Sequence, residues 1–260
     1  MVHPAKILIY VVSYNAVEHI QSTLSRIPIE WLKQYAFEIM IGDDHSTDQT
    51  VQKCLAYQKQ NQDINITVHS NEENLGYGGN QKVGYHYALK NNFDLVVLLH
   101  GDGQYAPEYL DKMILPILNE DCDVVLGSRM KKKLDAIKGG MPIYKWIGNQ
   151  LLTFVQNKML NTHLYEFHTG YRAFSVNALS QIPFEINSNY FDFDTEIIIQ
   201  LTDRKMRFEE IEIPTFYGNE ISYVNGFKYA WLIIKATFIS RLCAKGWHVD
   251  PRFPKLEPKV

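Results

Sequence analysis

Apolar runs with almost no alternation recur through the first half of the chain: Lys6–Ser13 (KILIYVVS), Phe37–Gly42, Ile64–His69, Asp94–Leu99 and Asp123–Leu126. Ile, Val and Leu dominate them, as in strands covered on both faces. The intervening stretches predict helices over Val17–Arg26, Thr47–Gln60, Gly79–Lys90 and Pro107–Leu118. Ser46 followed by Gln49 has the spacing of a capping box opening the second of these. The alternation predicts an α/β fold, with a mostly parallel central sheet between two layers of helices. A ligand crevice is then expected beyond the carboxyl ends of the strands.

After Gly127 the rhythm changes. Residues 130–141 (MKKKLDAIKGGM) are basic and glycine-punctuated, which predicts a mobile loop. Pro142–Leu160 and Asp192–Arg204 predict helices, with Pro142 suited to a first turn, and Phe208–Pro214 predicts a late strand. Gly226–Lys245 predicts a further helix, with Phe227, Trp231, Ile234, Phe238 and Leu242 at three- and four-residue spacing. A tail carrying three prolines follows and is expected to be extended. The economical division is a domain over 1–225 and a C-terminal amphipathic helix with an extended tail over 226–260.

Composition narrows the function classes. A net charge of −3 over 260 residues gives no sign of a nucleic-acid binder. Cys54, Cys122 and Cys243 lie far apart among apolar neighbours, which predicts buried free thiols in a reducing cytosol. The N-terminal run reads as a first core strand, not a signal peptide, and no uninterrupted apolar window spans a bilayer. From Gly226 onward seven Lys and Arg stand against two acids, leaving 19 bases against 27 acids elsewhere. An aromatic helix with basic flanks suits an anionic membrane surface, and equally a contact with the domain or a second protomer.

Four strand ends carry polar clusters. Strand one runs into Ser13-Tyr14-Asn15, with Glu18 a turn later; strand two runs into Gly42-Asp43-Asp44-His45-Ser46. The third is followed by NLGYGGN (74–80), and the fourth by His100-Gly101-Asp102-Gly103-Gln104. Each alone is explained by capping or a turn, and GYGGN lacks the ending of a phosphate-binding P-loop. Together they point to one site. Adjacent acids can accept hydrogen bonds from a base N–H and ribose hydroxyls. Gly76, Gly78 and Gly79 let backbone approach a ligand. Asp102 and Gln104 alternate on an extended segment, and hard oxygens so placed suit Mg²⁺ or Mn²⁺ bridging a diphosphate.

At this point the chain resembles the family 2 glycosyltransferases of GT-A fold, especially the branch of dolichyl-phosphate mannose and glucose synthases. The resemblance runs through VVSYNAVEHI, IGDDHSTDQT, NLGYGGNQKVGYHYAL, LLHGDGQYAPEYL, LGSRM, GGMPIYKWIGNQLLTFVQN, HTGYRAFS and FDFDTEIIIQ, in order over about residues 5–220. It implies that Tyr14, Glu18, Asp43 and Asp44 line a nucleotide, flanked by Gly76, Asn80 and Lys82. Asp102 would hold the metal with Gln104 assisting. Arg129 and Lys145 would meet the acceptor phosphate and donor diphosphate, and Arg172 would act similarly or brace its loop. The implied reaction is inverting transfer from a UDP- or GDP-linked sugar.

His100 departs from the pattern, standing where the family often carries the first acid of D-x-D-x-Q. Histidine there can ligate Mn²⁺, donate to a phosphate or ribose, or fill space; imidazole suits Mg²⁺ poorly, which favours a neutral donor. The acceptor stays open between a polyprenyl phosphate, already anionic, and a saccharide hydroxyl, which needs a base. Asp192, Asp194 and Glu196 offer carboxylates for that base, Asp194 being preferred, though each is also explained by capping or pairing. A nucleotidyltransferase would show a glycine-rich basic loop after strand one, and SYNAVEH is neither. A non-catalytic nucleotide-sugar-binding module is the alternative from another class.

Overall fold

The structure is a computed structural model and describes residues 4–215 and 225–255, excluding the side chains of 133–135. The elements run β1 (Lys6–Ser13), α1 (Ile20–Ser25), α2 (Ile29–Leu32), β2 (Ala36–Asp43), α3 (Thr50–Gln60), β3 (Ile66–Ser70) and α4 (Tyr77–Lys90). They continue with β4 (Leu95–His100), α5 (Leu110–Leu118), β5 (Val124–Ser128), α6 (Lys133–Lys138), α7 (Ile143–Leu160), β6 (Arg172–Ser175) and α8 (Val176–Leu179). The last are α9 (Phe193–Asp203), β7 (Phe208–Glu212) and α10 (Gly226–Ala244).

Seven strands form one sheet in the order β3-β2-β1-β4-β6-β5-β7. All pairings are parallel except those of β6, which runs antiparallel between β4 and β5. Alternate residues of β1 enter opposite core layers. Leu8 and Tyr10 pack with Tyr85 and Phe193 on one face, while Ile7, Ile9 and Val11 pack with Ile20, Leu24 and Met113 on the other. Each fully buried aliphatic chain contributes about 1.5–3 kcal/mol, so both faces of the sheet anchor the strand ends firmly. The three cysteines are buried and free, as expected.

Several local expectations change. α3 begins at Thr50, past the predicted capping box, because the Asp48 carboxylate accepts from Thr50 N at 2.9 Å while Ser46 Oγ is spent on Asp43. Residues 130–141 form no simple loop: α6 lies within them, and Met130, Ala136 and Met141 bury together against Trp146. Strand β6 escaped periodicity because four residues are too few to show one.

The C-terminal helix forms, but its stripe does not face the core. Phe227, Trp231 and Phe238 are exposed, whereas Ile233, Ala236, Thr237 and Ser240 are buried. α10 packs against α7 and α9. The segment after it turns back onto the domain, with Phe253 buried and Arg252 paired with Glu196 and Asp250.

Candidate active site

Register aligns the strand ends. Ser13 pairs with Asp43, Asp43 with Ser70, and Val12 with His100, so β1 to β4 finish in one row. Antiparallel β6 enters at that same edge, since Arg172 lies opposite both Leu98 and Leu126. The predicted crevice is therefore bordered by the β1, β2 and β4 ends on one side and by 127–130 and 166–172 on the other.

On the first side, the acids are held by neutral donors. Asp43 is fully buried and accepts from Ser46 N at 2.9 Å, Ser46 Oγ at 2.5 Å and Ser70 Oγ at 3.2 Å. Asp44 Oδ1 accepts from Asn71 Nδ2 at 2.9 Å and Leu75 N at 2.8 Å. Tyr14 stands at the rim, 38% exposed. Glu18 is exposed beside a surface crevice shared with Gln21, Lys53 and Tyr57.

The glycine segment serves the protein's own packing. Gly76 takes φ +80° as it opens α4, and a Cβ there would lie 2.6 Å from Asn189 O. At Gly78 a Cβ would lie 2.5 Å from Ser188 O. The close approach expected of a ligand is thus made by the 188–193 segment. Asn80 pins strand ends together: Nδ2 donates to Gly42 O, and Oδ1 accepts from Tyr10 Oη, each at 2.8 Å. Lys82 reaches Asn187 O at 2.5 Å and Asn189 Oδ1 at 2.6 Å. Asn80 and Lys82 are therefore both committed to protein partners.

Beyond β4, Asp102 is half-buried, and its Oδ1 accepts from Gln104 N at 2.9 Å. Among the described residues no three His, Cys, Asp or Glu side chains converge as a metal site. A single carboxylate still fits Mg²⁺ or Mn²⁺ where diphosphate oxygens and waters fill the remaining positions.

His100 is packed among aromatics, 5.7 Å from Tyr77 and 5.0 Å from Tyr105 between ring centroids. Burial lowers its pKa, with the nearby carboxylates Asp102 and Asp194 opposing that shift, so the ring is neutral at pH 7. Tyr77 Oη donates to Asp194 Oδ2 at 3.0 Å and lies 3.3 Å from His100 Nε2. With the one phenolic proton directed at the carboxylate, His100 Nε2–H donates to Tyr77 Oη. The sequence favoured a donor toward phosphate or ribose; in the fold the ring nitrogen meets a tyrosine.

Asp194 is buried and fully engaged. Its Oδ1 accepts from Gln81 Nε2 at 3.0 Å, and Oδ2 lies 3.3 Å from the Arg172 guanidinium. Arg172 also donates to Thr169 O, Asp194 O and Phe167 O, so it braces its loop. Glu196 pairs with Arg252 and accepts from Ser188 N, while Asp192 accepts from Ser188 Oγ. Arg129, after β5, is 7% exposed, pairs with the fully buried Glu166 and donates to His168 O at 3.0 Å. Lys145 stands half-buried in the first turn of α7. Glu210 fixes this wall from below, accepting from Tyr165 N at 2.6 Å and Glu166 N at 2.9 Å. Burial raises its pKa to about 7.

Residues 8–182 match a family model described as Glycosyl transferase family 2. The chain belongs to that family. It is 31% identical over 155 residues to the UDP-N-acetylglucosamine–dolichyl-phosphate N-acetylglucosaminyltransferase of Methanococcus voltae, covering 60% of this chain and 61% of that enzyme. It is 22% identical to the undecaprenyl-phosphate mannosyltransferase of Micrococcus luteus, covering 83% and 85%. The fold matches glucosyl-3-phosphoglycerate synthase from Mycobacterium tuberculosis solved with UDP, at TM-score 0.67 and 16% identity, covering 91% of this chain and 80% of that one. That enzyme solved with Mn²⁺, UDP and glucosyl-3-phosphoglycerate matches at 0.64, with 16% identity and the same coverage. This chain is thus a family 2 glycosyltransferase of GT-A fold.

Sequence reasoning gave no role to Tyr77, Gln81, Tyr105, Glu166 or His168. Tyr77 lay within the quoted glycine segment, and His168 within the HTG turn. His168 Nδ1 lies 3.1 Å from Tyr229 Oη, while Nε2 is buried with no hydrogen-bond partner among the described residues. Burial pushes its pKa down to about 3. A glutamate answering a buried arginine 37 positions away leaves no sequence signal.

Proposed function

We propose that this glycosyltransferase moves a sugar from a UDP-linked donor to a polyprenyl phosphate, with inversion at the anomeric carbon. An acceptor phosphate oxygen forms the new bond as the bond to the β-phosphate breaks, and UDP departs through a transition state of oxocarbenium character. Asp43 and Asp44, at one rim of the crevice, suit ribose hydroxyls and a base N–H, with Tyr14 beside them. Gly76, Asn80 and Lys82 would shape that pocket from behind, and Glu18 would meet the nucleotide from the exposed surface. Asp102 would hold Mg²⁺ or Mn²⁺, and Gln104 would keep its carboxylate oriented through the backbone. The ion, when bound, offsets the charge developing on the leaving diphosphate. Arg129 and Lys145 supply positive charge for the acceptor phosphate.

The observation that carries the anionic acceptor is the state of Asp194. Its oxygens already answer Gln81, Tyr77 and Arg172, so it suits positioning better than proton removal from a hydroxyl. An acceptor that arrives as an anion needs no base. The names of the two sequence relatives agree with this reading, as does UDP in the structural neighbour. Buried free thiols agree with a reducing, cytoplasmic setting.

Transfer from radiolabelled UDP-sugars and GDP-sugars, each offered a short-chain polyprenyl phosphate and a simple saccharide, tests the proposal. Product from a UDP-sugar and the lipid phosphate alone is expected. Product on the saccharide alone would overturn the acceptor assignment, and product from GDP-sugars alone would overturn the donor.

A further inference from the structure

Helices at a protein surface turn their large apolar groups inward. α7 and α10 instead leave several of theirs exposed. On α7, Ile143, Ile147, Leu151 and Phe154 are exposed at three- and four-residue spacing, Phe154 at 66%, while Thr153 and Gln156 are buried. On α10, Phe227, Trp231 and Phe238 are exposed, Phe227 at 94%, while the buried side carries Ile233, Ala236, Thr237, Ser240 and Cys243. Thr237 and Ser240 satisfy their hydroxyls on carbonyls within the helix, at 2.8 and 2.7 Å. Those two hydroxyls are therefore compatible with burial, and the largest apolar groups are left outside on two helices in contact.

Charge follows the same division. Neither helix contains an Asp or Glu, in a chain that carries 29 of them. Lys158, Lys228 and Lys235 are exposed on these helices, and Lys245 stands just beyond α10. Lys235 lies over Trp231 and Lys245 over Trp247, each 4.9 Å from the ring centroid. Such pairs keep an ammonium in water above an apolar body. α10 also reaches the candidate site from its inner side, because Tyr229 meets His168, and Lys228 lies 4.6 Å from the Tyr190 ring.

We infer that α7 and α10 form a docking face for an anionic lipid bilayer, with both helices lying in the headgroup plane. No helix among the described residues is long and apolar enough to cross a membrane, so the contact is one of lying on the surface. A second copy of the chain is the poorer occupant. A two-fold interface would set the same lysines against each other, with no acid on either helix to answer them. Anionic headgroups answer them directly. The inference deepens the lipid-acceptor reading and rests on that reading for its purpose, since it would bring the crevice to the surface where a polyprenyl phosphate resides.

Flotation of the full chain with vesicles tests it. The chain is expected to float with phosphatidylcholine–phosphatidylglycerol vesicles, less with phosphatidylcholine alone, and less as salt rises. The pair Leu151→Ser with Phe154→Ser, and separately Trp231→Ser, should weaken partitioning by roughly tenfold or more. Lys158→Glu with Lys235→Glu, at exposed positions where folding is not at stake, should weaken only the anionic preference. UDP-induced thermal stabilisation should persist in every variant. Absent flotation of the wild-type chain, or equal flotation of all variants, overturns the inference. So does a wild-type dimer that the apolar substitutions dissociate. Loss of the UDP response in the wild-type chain would instead count against the transferase reading and leave the vesicle result standing.

Discussion

The two walls of the crevice hold their carboxylates in opposite ways. Asp43 and Asp44 are bound by serine, asparagine and backbone N–H groups. Asp194 and Glu166, the partners of Arg172 and Arg129 on the other wall, are each answered by a buried guanidinium. Neutral donors fix geometry at about 0.5–1.5 kcal/mol each and leave acids able to receive further hydrogen bonds. A buried ion pair is different: its loss strands a charge, but while intact it sets one geometry. The first wall is thus held by neutral donors, and the second by ion pairs that keep its own residues rigid.

Breaking the second wall should cost most. Arg172→Met is expected to lose roughly 3–5 kcal/mol in urea unfolding by leaving Asp194 buried and unpaired. Adding Asp194→Asn should recover much of that loss. Asp43→Asn on the first wall should cost only about 1–2 kcal/mol. Equal losses for Arg172→Met and Asp43→Asn would erase the contrast between the walls.

Next in size is Asp102→Asn, expected to lower kcat/KM by roughly 10²–10³ with folding unchanged. A variant of wild-type activity would remove Asp102 from the reaction. The pH response of Glu210 comes third. Its carboxyl binds a proton more tightly in the folded state, at about 7 against an ordinary 4.5. Stability from this group is therefore present below pH 4.5 and is lost as pH rises through 7, by about 3 kcal/mol. Glu210→Gln should flatten that slope in urea titrations at pH 5 and 8; an unchanged slope would assign it elsewhere. The smallest effect belongs to Tyr77→Phe, which removes the bond to Asp194 while keeping the ring stacked 4.8 Å from Phe191. About 1 kcal/mol should be lost, and Asp194→Asn should make it smaller still. A larger loss would mean that Tyr77 does more than position.

Much of the first wall was legible in the sequence. Strands buried on both faces betray themselves as apolar runs, and polar clusters at their ends follow directly. Asp43, Asp44 and Asp102 were placed at strand ends this way, which is where the fold has them, and β1 appeared with its observed bounds. The second wall was harder to read. For Arg172 the sequence left open a phosphate contact or a loop brace, and the three carbonyls around it decide for the brace. Glu166 and Tyr77 act through partners remote in sequence, which periodicity cannot reveal. The stripe of α10 was read from spacing alone, which is the same whether a stripe faces core or solvent.

The grip of Asp102 on a metal-bound diphosphate is the claim on which the rest of the account depends. Calorimetric titration of UDP into the wild-type chain and into Asp102→Asn, with and without Mn²⁺, tests it most directly. UDP should bind the wild-type chain more tightly with Mn²⁺, and the variant should show no gain from the ion. An equal gain in both chains, or UDP binding indifferent to Mn²⁺ in the wild type, would contradict it.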